Sequence, residues 1–382
     1  MDALQKGMPF IQVIIGPRQV GKTTGAQQII DNFPFSSTYA TADAAIPHGP
    51  EWIETQWQLA LSKSKDNQPT LLVMDELQKV NGWSDVLKRL WDTRTSDIRV
   101  LVLGSSALLL RQGMSESLAG RFYLNRFTHW NLSECKEAFG WDLNQWLYFG
   151  GYPGAALFAD NDMSWKQYVT DSLIETVLSK DVLQTDRVTK PALLRNLFGL
   201  ACSFPSQIFS YNKMLGQLAD AGNTTTLSHY LKLLDNAFLA TGLEQFSKGQ
   251  VRKRGSSPKL LLWNNALISA LSPKTFIESM ENSSWWGRIV ENAVGAHILN
   301  DTCSSPSVML TYWHKGNYEV DFVIQRGEDI VALEIKSGRP VKSVGLSLFR
   351  KAYPEAKTFI IGSGGIPLEK FFSSHIEDLL FS

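Results

Sequence analysis

Apolar positions along the chain follow three kinds of pattern. FIQVIIG, LLVM (Leu71 to Met74) and IRVLVLG are short, nearly unbroken apolar runs, as strands buried on both faces require. From about Trp146 to Leu200 the spacing turns helical, as in WKQYVTDSLIETVLSKDVL. A helix carrying Met214, Leu215 and Leu218, a turn at Ala221-Gly222 and a second helix carrying Leu227, Tyr230, Leu231 and Leu234 come next, with Thr224 to Thr226 offering its N-cap. SWWGRIVENAVGAHIL reads as a helix whose Ile289, Val290, Ala293 and Val294 face a core. Alternation then takes over: YEVDFVI, a turn at Gly327, and the return strand VALEIKSG, before LFRKAYPEAKTFIIGSG gives helix and strand. No repeat is visible, and the apolar stretch around Val100 to Leu110 is interrupted by GSS, so no membrane span is expected.

At 382 residues the chain is too long for one ordinary core. The pattern divides it into residues 1–145, 146–260 and 261–382. Hydrophobic content of 44% with 19% charged residues suits a globular protein rather than a disordered one. Lys+Arg and Asp+Glu are both 37, so any polyanion site must come from local charge. Cys135, Cys202 and Cys303 are scattered, which disfavours a disulfide framework or a zinc site and suits the cytoplasm. MDALQKGMPFIQVIIG lacks a small-residue cleavage site and leads straight into a phosphate-binding motif, so it does not read as a signal peptide.

That motif is FIQVIIGPRQVGKTTGAQQII, a strand, a loop and a helix matching GxxxxGK[ST]. Gly16, Pro17, Arg18, Gln19, Val20, Gly21 and Thr24 are the expected nucleotide-binding residues around Lys22 and Thr23; backbone N–H groups, which Pro17 lacks, wrap the phosphates, and the helix points its positive N-terminus at them. Lys22 is placed to reach the β- and γ-phosphates of ATP, and the Thr23 hydroxyl to ligate Mg2+. PTLLVMDELQKV supplies the second half: Asp75 to hold magnesium through water, Glu76 to orient and deprotonate the attacking water. Ser105 and Ser106 end the third strand, either as a γ-phosphate sensor or as a serine-rich turn. Arg121 in SLAGRF reads either as a finger on the nucleotide of a neighbouring copy in a homo-oligomer or as a salt-bridge residue.

GPRQVGKTT, VMDELQKVNGWSDVLKRLWD, LGSSALLL, SLAGRF and FGGYPGA together resemble the uncharacterised family of prokaryotic AAA-type P-loop ATPases with a C-terminal PD-(D/E)xK endonuclease-like domain. The resemblance runs through nearly the whole chain. It implies a five-stranded parallel sheet between helices, then a helical, winged-helix region, then a restriction-endonuclease-like α/β domain. The family's Asp-x-Gly-Leu-like motif reads Asn264, Asn265, Ala266, Leu267 here, so its acid is absent.

In the middle region, Lys248, Arg252, Lys253, Arg254 and Lys259 fall in what reads as a basic hairpin loop, either a wing on a phosphate backbone or a solvated turn. In the last third, adjacent antiparallel strands bring Asp321 close to Glu334 and Lys336, with Glu291 on the preceding helix. Acid on a helix, acid on a strand, then acid-x-lysine on the next is the PD-(D/E)xK order. Asp321 and Glu334 would hold divalent metal, and Lys336 would orient the attacking water or stabilise negative charge. Cross-strand ion pairing is the plainer explanation of the same residues. Two functions remain open: an ATP-controlled nuclease acting on DNA or other nucleic acid, or a nucleotide-dependent switch whose nuclease-like module is inactive.

Overall fold

The computed structural model describes residues 2–64, 68–104, 117–183, 188–218, 223–247, 257–338 and 343–381. In its first part, β1 (Ile11–Ile15), β2 (Ser36–Thr41), β3 (Thr70–Asp75), β4 (Ile98–Gly104) and β5 (Phe122–Arg126) form one sheet in the order β2-β3-β4-β1-β5. Every neighbouring pair is parallel. β1 and β3 are buried at every position, as their unbroken apolar runs demand. Helix α1 (Lys22–Asp31) gives Ala26 to a core shared with Ile14, Leu71, Val73, Leu101 and Leu103. The register sets Ile15 beside Gly104 and Arg126, and Asp75 beside Thr41 and Leu103. The carboxyl ends of β1, β3 and β4 therefore share one sheet edge, where ligands of such sheets bind.

The following part is helical as expected, with helices at Leu132–Phe139, Leu143–Phe149 and Pro191–Ser203 and wide π-turns over Tyr168–Ile174 and Val177–Val182. Helices Tyr211–Gln217 and Thr224–Asn236 precede an antiparallel pair, β6 (Ala240–Leu243) and β7 (Lys259–Leu262). The cap of the second helix is Asn223, whose side chain accepts from Thr226 N at 2.8 Å, rather than one of the threonines. The intended turn at Ala221-Gly222 and the basic residues Lys248, Arg252, Lys253 and Arg254 lie outside the described residues.

Helices α2 (Asn265–Leu271) and α3 (Ser283–Thr302) lead into β8 (Val308–Lys315), β9 (Tyr318–Arg326), β10 (Asp329–Lys336), helix α4 (Val344–Ala352) and β11 (Lys357–Gly362). The sheet runs β11-β10-β9-β8, antiparallel from β8 to β10 with β11 parallel to β10. Its core joins Val320, Val323, Ile330, Ala332 and Phe349 to Phe246 from the segment after β6.

The chain forms two compact units, Met1–Phe127 and Thr128–Ser382. The division expected after 145 differs from this because β5 completes the first sheet at Arg126, and Trp146 packs on Phe372 with ring centres 4.8 Å apart. The division after 260 falls inside β7. Among the described residues no helix is long and apolar enough to cross a membrane.

Candidate functional site

Two sites emerge, one in each unit. In the first, the loop after β1 turns through Gln19 at φ +61° and Gly21 at φ +89° before α1 begins at Lys22. Gly16 must be glycine for a different reason: a Cβ there would sit 2.0 Å from the Phe127 carbonyl oxygen. Lys22 is buried, and its Nζ donates to the carbonyls of Gly16 at 3.1 Å and Pro17 at 2.5 Å. Val20 is buried, Arg18 is half-buried, and Thr23 and Thr24 are exposed at the helix start.

The Thr23 hydroxyl donates to Asp75 Oδ2 at 3.0 Å, across 52 residues of sequence. The two motif halves thus meet at one carboxylate. The same oxygen accepts from the Tyr39 hydroxyl at 2.8 Å, a residue on β2 that sequence reasoning did not single out. Burial, then the hydrogen bond to Asp75, push the Tyr39 hydroxyl up from its ordinary value, so it is a donor. Asp75 is buried, whereas Glu76 turns out of the strand at φ +56° and accepts from Gln78 Nε2 at 2.7 Å. Thr23 and Asp75, an oxygen pair aimed at one point, fit the oxygen coordination of Mg2+.

Arg121 does not join this group. It precedes β5 at the end of the sheet remote from the loop, where its carbonyl accepts from Ile11 N at 2.9 Å. Its guanidinium grips Asp92 at two points, 2.8 and 3.0 Å. The salt-bridge alternative describes this residue within the chain. Ser105 lies outside the described residues.

In the second unit β9 and β10 pair up to Leu333 opposite Phe322, which carries Glu334 past Asp321. Asp321 Oδ2 accepts from Ile335 N at 2.7 Å. Glu334 Oε1 binds Lys336 Nζ at 2.7 Å, and Glu334 Oε2 is buried with no partner among the described residues. Glu291 arrives from α3, so the four positions expected from the motif order share one region. Asp321 and Glu291 carboxylate oxygens, with one from Glu319, lie within 4.8 Å of one another.

Lys259 occupies the middle of this acid group. Its Nζ lies 2.7 Å from Glu291 Oε1, 2.8 Å from Glu319 Oε1 and 3.8 Å from Asp321 Oδ1, and donates to the Asp321 carbonyl at 3.1 Å. The side chain is 0% exposed, which corrects its assignment to a basic hairpin loop, whether as a wing on a phosphate backbone or as a solvated turn. β7 is buried at every position, and its lysine meets these acids instead of solvent. Burial pulls the Lys259 ammonium down, but Glu291, Asp321 and Glu319 outweigh that and raise it above its ordinary value. Burial, followed by Glu291, raises the Asp321 carboxyl well above its ordinary range, against the pull of Lys259.

Glu319 was not singled out from the sequence, and Lys259 was placed in the basic loop instead of this site. Glu319-x-Asp321 on β9 repeats the spacing of Glu334-x-Lys336, so same-face alternation held the signal for Glu319. Asn264 caps α2, accepting from Ala266 N at 2.9 Å and from Gly151 N at 3.3 Å, a structural task an aspartate also performs. His297 is buried against Phe371 and Phe372, with Nε2 3.2 Å from the Ser374 carbonyl, and His314 is exposed; neither joins the acids.

Residues 9–136 match the family model described as AAA domain. With the parallel sheet and the loop geometry, they make the first unit a P-loop AAA-type domain, which supports nucleotide binding and ATPase activity. Residues 140–277 and 286–370 match two domains of unknown function (DUF8612 and DUF4143). An uncharacterized protein of Mycobacterium tuberculosis is 26% identical over 334 residues, covering 85% of this chain and 70% of its own. An uncharacterized protein of Methanocaldococcus jannaschii is 24% identical over 372 residues, covering 91% and 79%. Among solved structures, the Walker-type ATPase of Pyrococcus abyssi is 13% identical with a TM-score of 0.45, covering 71% of this chain and 93% of that one.

Proposed function

We propose that the chain binds and hydrolyses ATP with Mg2+ in its first unit, and that the nucleotide state controls the second, nuclease-like unit. The contact between Thr23 and Asp75 carries this reading, because it brings a threonine at the helix start and an aspartate at a strand end together at 3.0 Å, the two oxygens that would share one magnesium ion. Bound magnesium neutralises phosphate charge; Thr23 and Asp75 are the residues that would hold it. Lys22 exchanges the Gly16 and Pro17 carbonyls for phosphate oxygens, and Glu76 accepts the proton of the attacking water. The test is ATP turnover by wild type, Lys22→Ala and Glu76→Gln. Turnover surviving in both variants sinks the assignment.

A second reading, cleavage of nucleic acid by the second unit, is favoured by the convergence of Glu291, Asp321, Glu334 and Lys336. It requires a divalent ion among these acids, and Lys259 already stands beside two of them, Glu291 and Asp321, and beside Glu319. The weight therefore shifts to a nucleotide-dependent switch with an inactive nuclease-like module. Incubating wild type, Asp321→Ala and Lys336→Ala with mixed DNA and RNA, ATP and Mg2+ or Mn2+ separates the two. Cleavage that both variants lose would restore the nuclease reading.

A further inference from the structure

We propose that Lys259 is the resident cation of the second unit's acidic site, its ammonium holding the position that a divalent ion would otherwise take among Glu291, Glu319 and Asp321. This rests on the assembly of that site and not on ATP turnover.

The geometry argues for it in three ways. First, the ammonium lies 2.7 and 2.8 Å from two carboxylates and 3.8 Å from the third. A magnesium ion needs oxygens at about 2.0–2.1 Å around its own centre, and that centre is filled by Nζ. Second, Lys259 is enclosed and held by several partners. It is 0% exposed, begins a strand paired with β6, donates to the Asp321 carbonyl at 3.1 Å and lies 5.0 Å from the centre of the Phe322 ring. A surface lysine snorkels its charge to water; this one has no path. Third, a dication entering beside the buried ammonium meets like-charge repulsion, which is strongest on the Glu291 and Asp321 side, where those carboxylates keep only 14% and 18% of their side chains in water.

Glu334 stands outside the clasp. Its Oε1 takes Lys336 and its Oε2 has no partner among the described residues. The site therefore holds two lysines with distinct neighbours: Lys336 on Glu334, and Lys259 among the other three acids. Removing the Lys259 ammonium leaves three converging carboxylate oxygens within 4.8 Å of one another, a spacing that suits a divalent ion.

The test is Mn2+ uptake by the nucleotide-free full chain, read by the electron paramagnetic resonance of free Mn2+. Wild type, Asp321→Asn, Lys259→Ala and the Lys259→Ala/Asp321→Asn double variant are compared. Expected is no Asp321-dependent uptake by wild type, one additional Mn2+ per chain in Lys259→Ala, and loss of that ion in the double variant. Thermal unfolding gives a second readout: Mn2+ raises the melting temperature of Lys259→Ala by more than that of wild type or of the double variant. If Lys259→Ala does not fold alone, refolding in Mn2+ recovers it, and failure to recover counts against the proposal. Wild-type uptake that Asp321→Asn abolishes overturns it outright, as does a folded Lys259→Ala that gains no ion. ATP turnover, read separately through Lys22→Ala, is untouched by either result.

Discussion

The Tyr39 hydroxyl donates at 2.8 Å to the Asp75 oxygen that also takes the Thr23 hydroxyl at 3.0 Å. Tyr39 ends up there because β2 pairs in parallel with β3, with Tyr39 opposite Val73 and its ring reaching toward the strand end. A group that orients a metal-holding carboxylate is typically worth 10–100-fold in metal affinity. Tyr39→Phe is therefore expected to raise the Mg2+ concentration for half-maximal ATP turnover by about tenfold, while metal-free nucleotide binding stays as in wild type. A magnesium titration of turnover checks this; an unchanged midpoint would show that Tyr39 only packs.

The parallel sheet and the loop were legible because their signals are local. A buried parallel strand is a continuous apolar run, and GPRQVGKT packs its chemistry into a few neighbouring residues. Glu291, Asp321, Glu334 and Lys336 were legible as an order of elements, since β9 and β10 are joined by a tight turn at Gly327 that fixes their register. Lys259 was not. Its local neighbours, a basic run before and LLLW after, fit either a hairpin tip or a strand, and its acid partners come from α3 and β9 far along the chain. Only tertiary pairing decides that its charge is buried. Tyr39 escaped notice likewise, because SSTYAT carries no charge to mark it.

Gly16 and Gly21 test the loop in different ways. A Cβ at Gly16 meets the Phe127 carbonyl oxygen at 2.0 Å, so β1 and the chain leaving β5 must separate, although Phe127 N bonds Ile15 O at 2.9 Å. A Cβ at Gly21 meets nothing within 4 Å but forces an L residue to φ +89°. Overpacking costs about 1–3 kcal/mol or more, against about 1–2 kcal/mol for the left-handed backbone. Gly16→Ala should lower the urea midpoint more than Gly21→Ala. The reverse order would mean that the β1–β5 edge yields easily.

Acid sensitivity should trace to His297. Burial, which outweighs the nearby Asp301 carboxylate and the Ser374 carbonyl, lowers its folded-state value below the ordinary 6.5. The unfolded chain then binds the proton first, so stability is full above about pH 6.5 and falls as the pH drops through the lowered value. His375 acts oppositely, its value raised by the hydrogen bond to Asp301 at 2.9 Å, so its contribution is present below about pH 6.5 and lost as pH rises. That pair is 82% exposed on the histidine side and is screened by water. Unfolding by urea at pH 5, 6 and 7 should show a decline toward acid in wild type that His297→Gln flattens. A decline of the same slope in the variant would place the acid-sensitive group elsewhere.

The two lysines of the acidic site should differ sharply in their effect on stability. Lys259 is 0% exposed with three carboxylates around it, and its removal leaves Glu291 and Asp321, both largely buried, and the more exposed Glu319 without that cation. Breaking a buried ion cluster by deleting one partner costs about 3–5 kcal/mol. Lys336 keeps 26% of its side chain in water and among the described residues pairs its ammonium with Glu334, so its pairing is partly screened. Lys336→Met is expected to cost about 1 kcal/mol, and Lys259→Met several times more. The magnitude also separates charge from packing, since methionine keeps most of the lysine stem. Adding Glu291→Gln and Glu319→Gln to Lys259→Met removes two of the three carboxylates left without that cation and should recover part of the loss. Denaturant unfolding of the four chains checks this, and equal losses for the two single lysine variants would refute the asymmetry between the buried and the half-exposed cation.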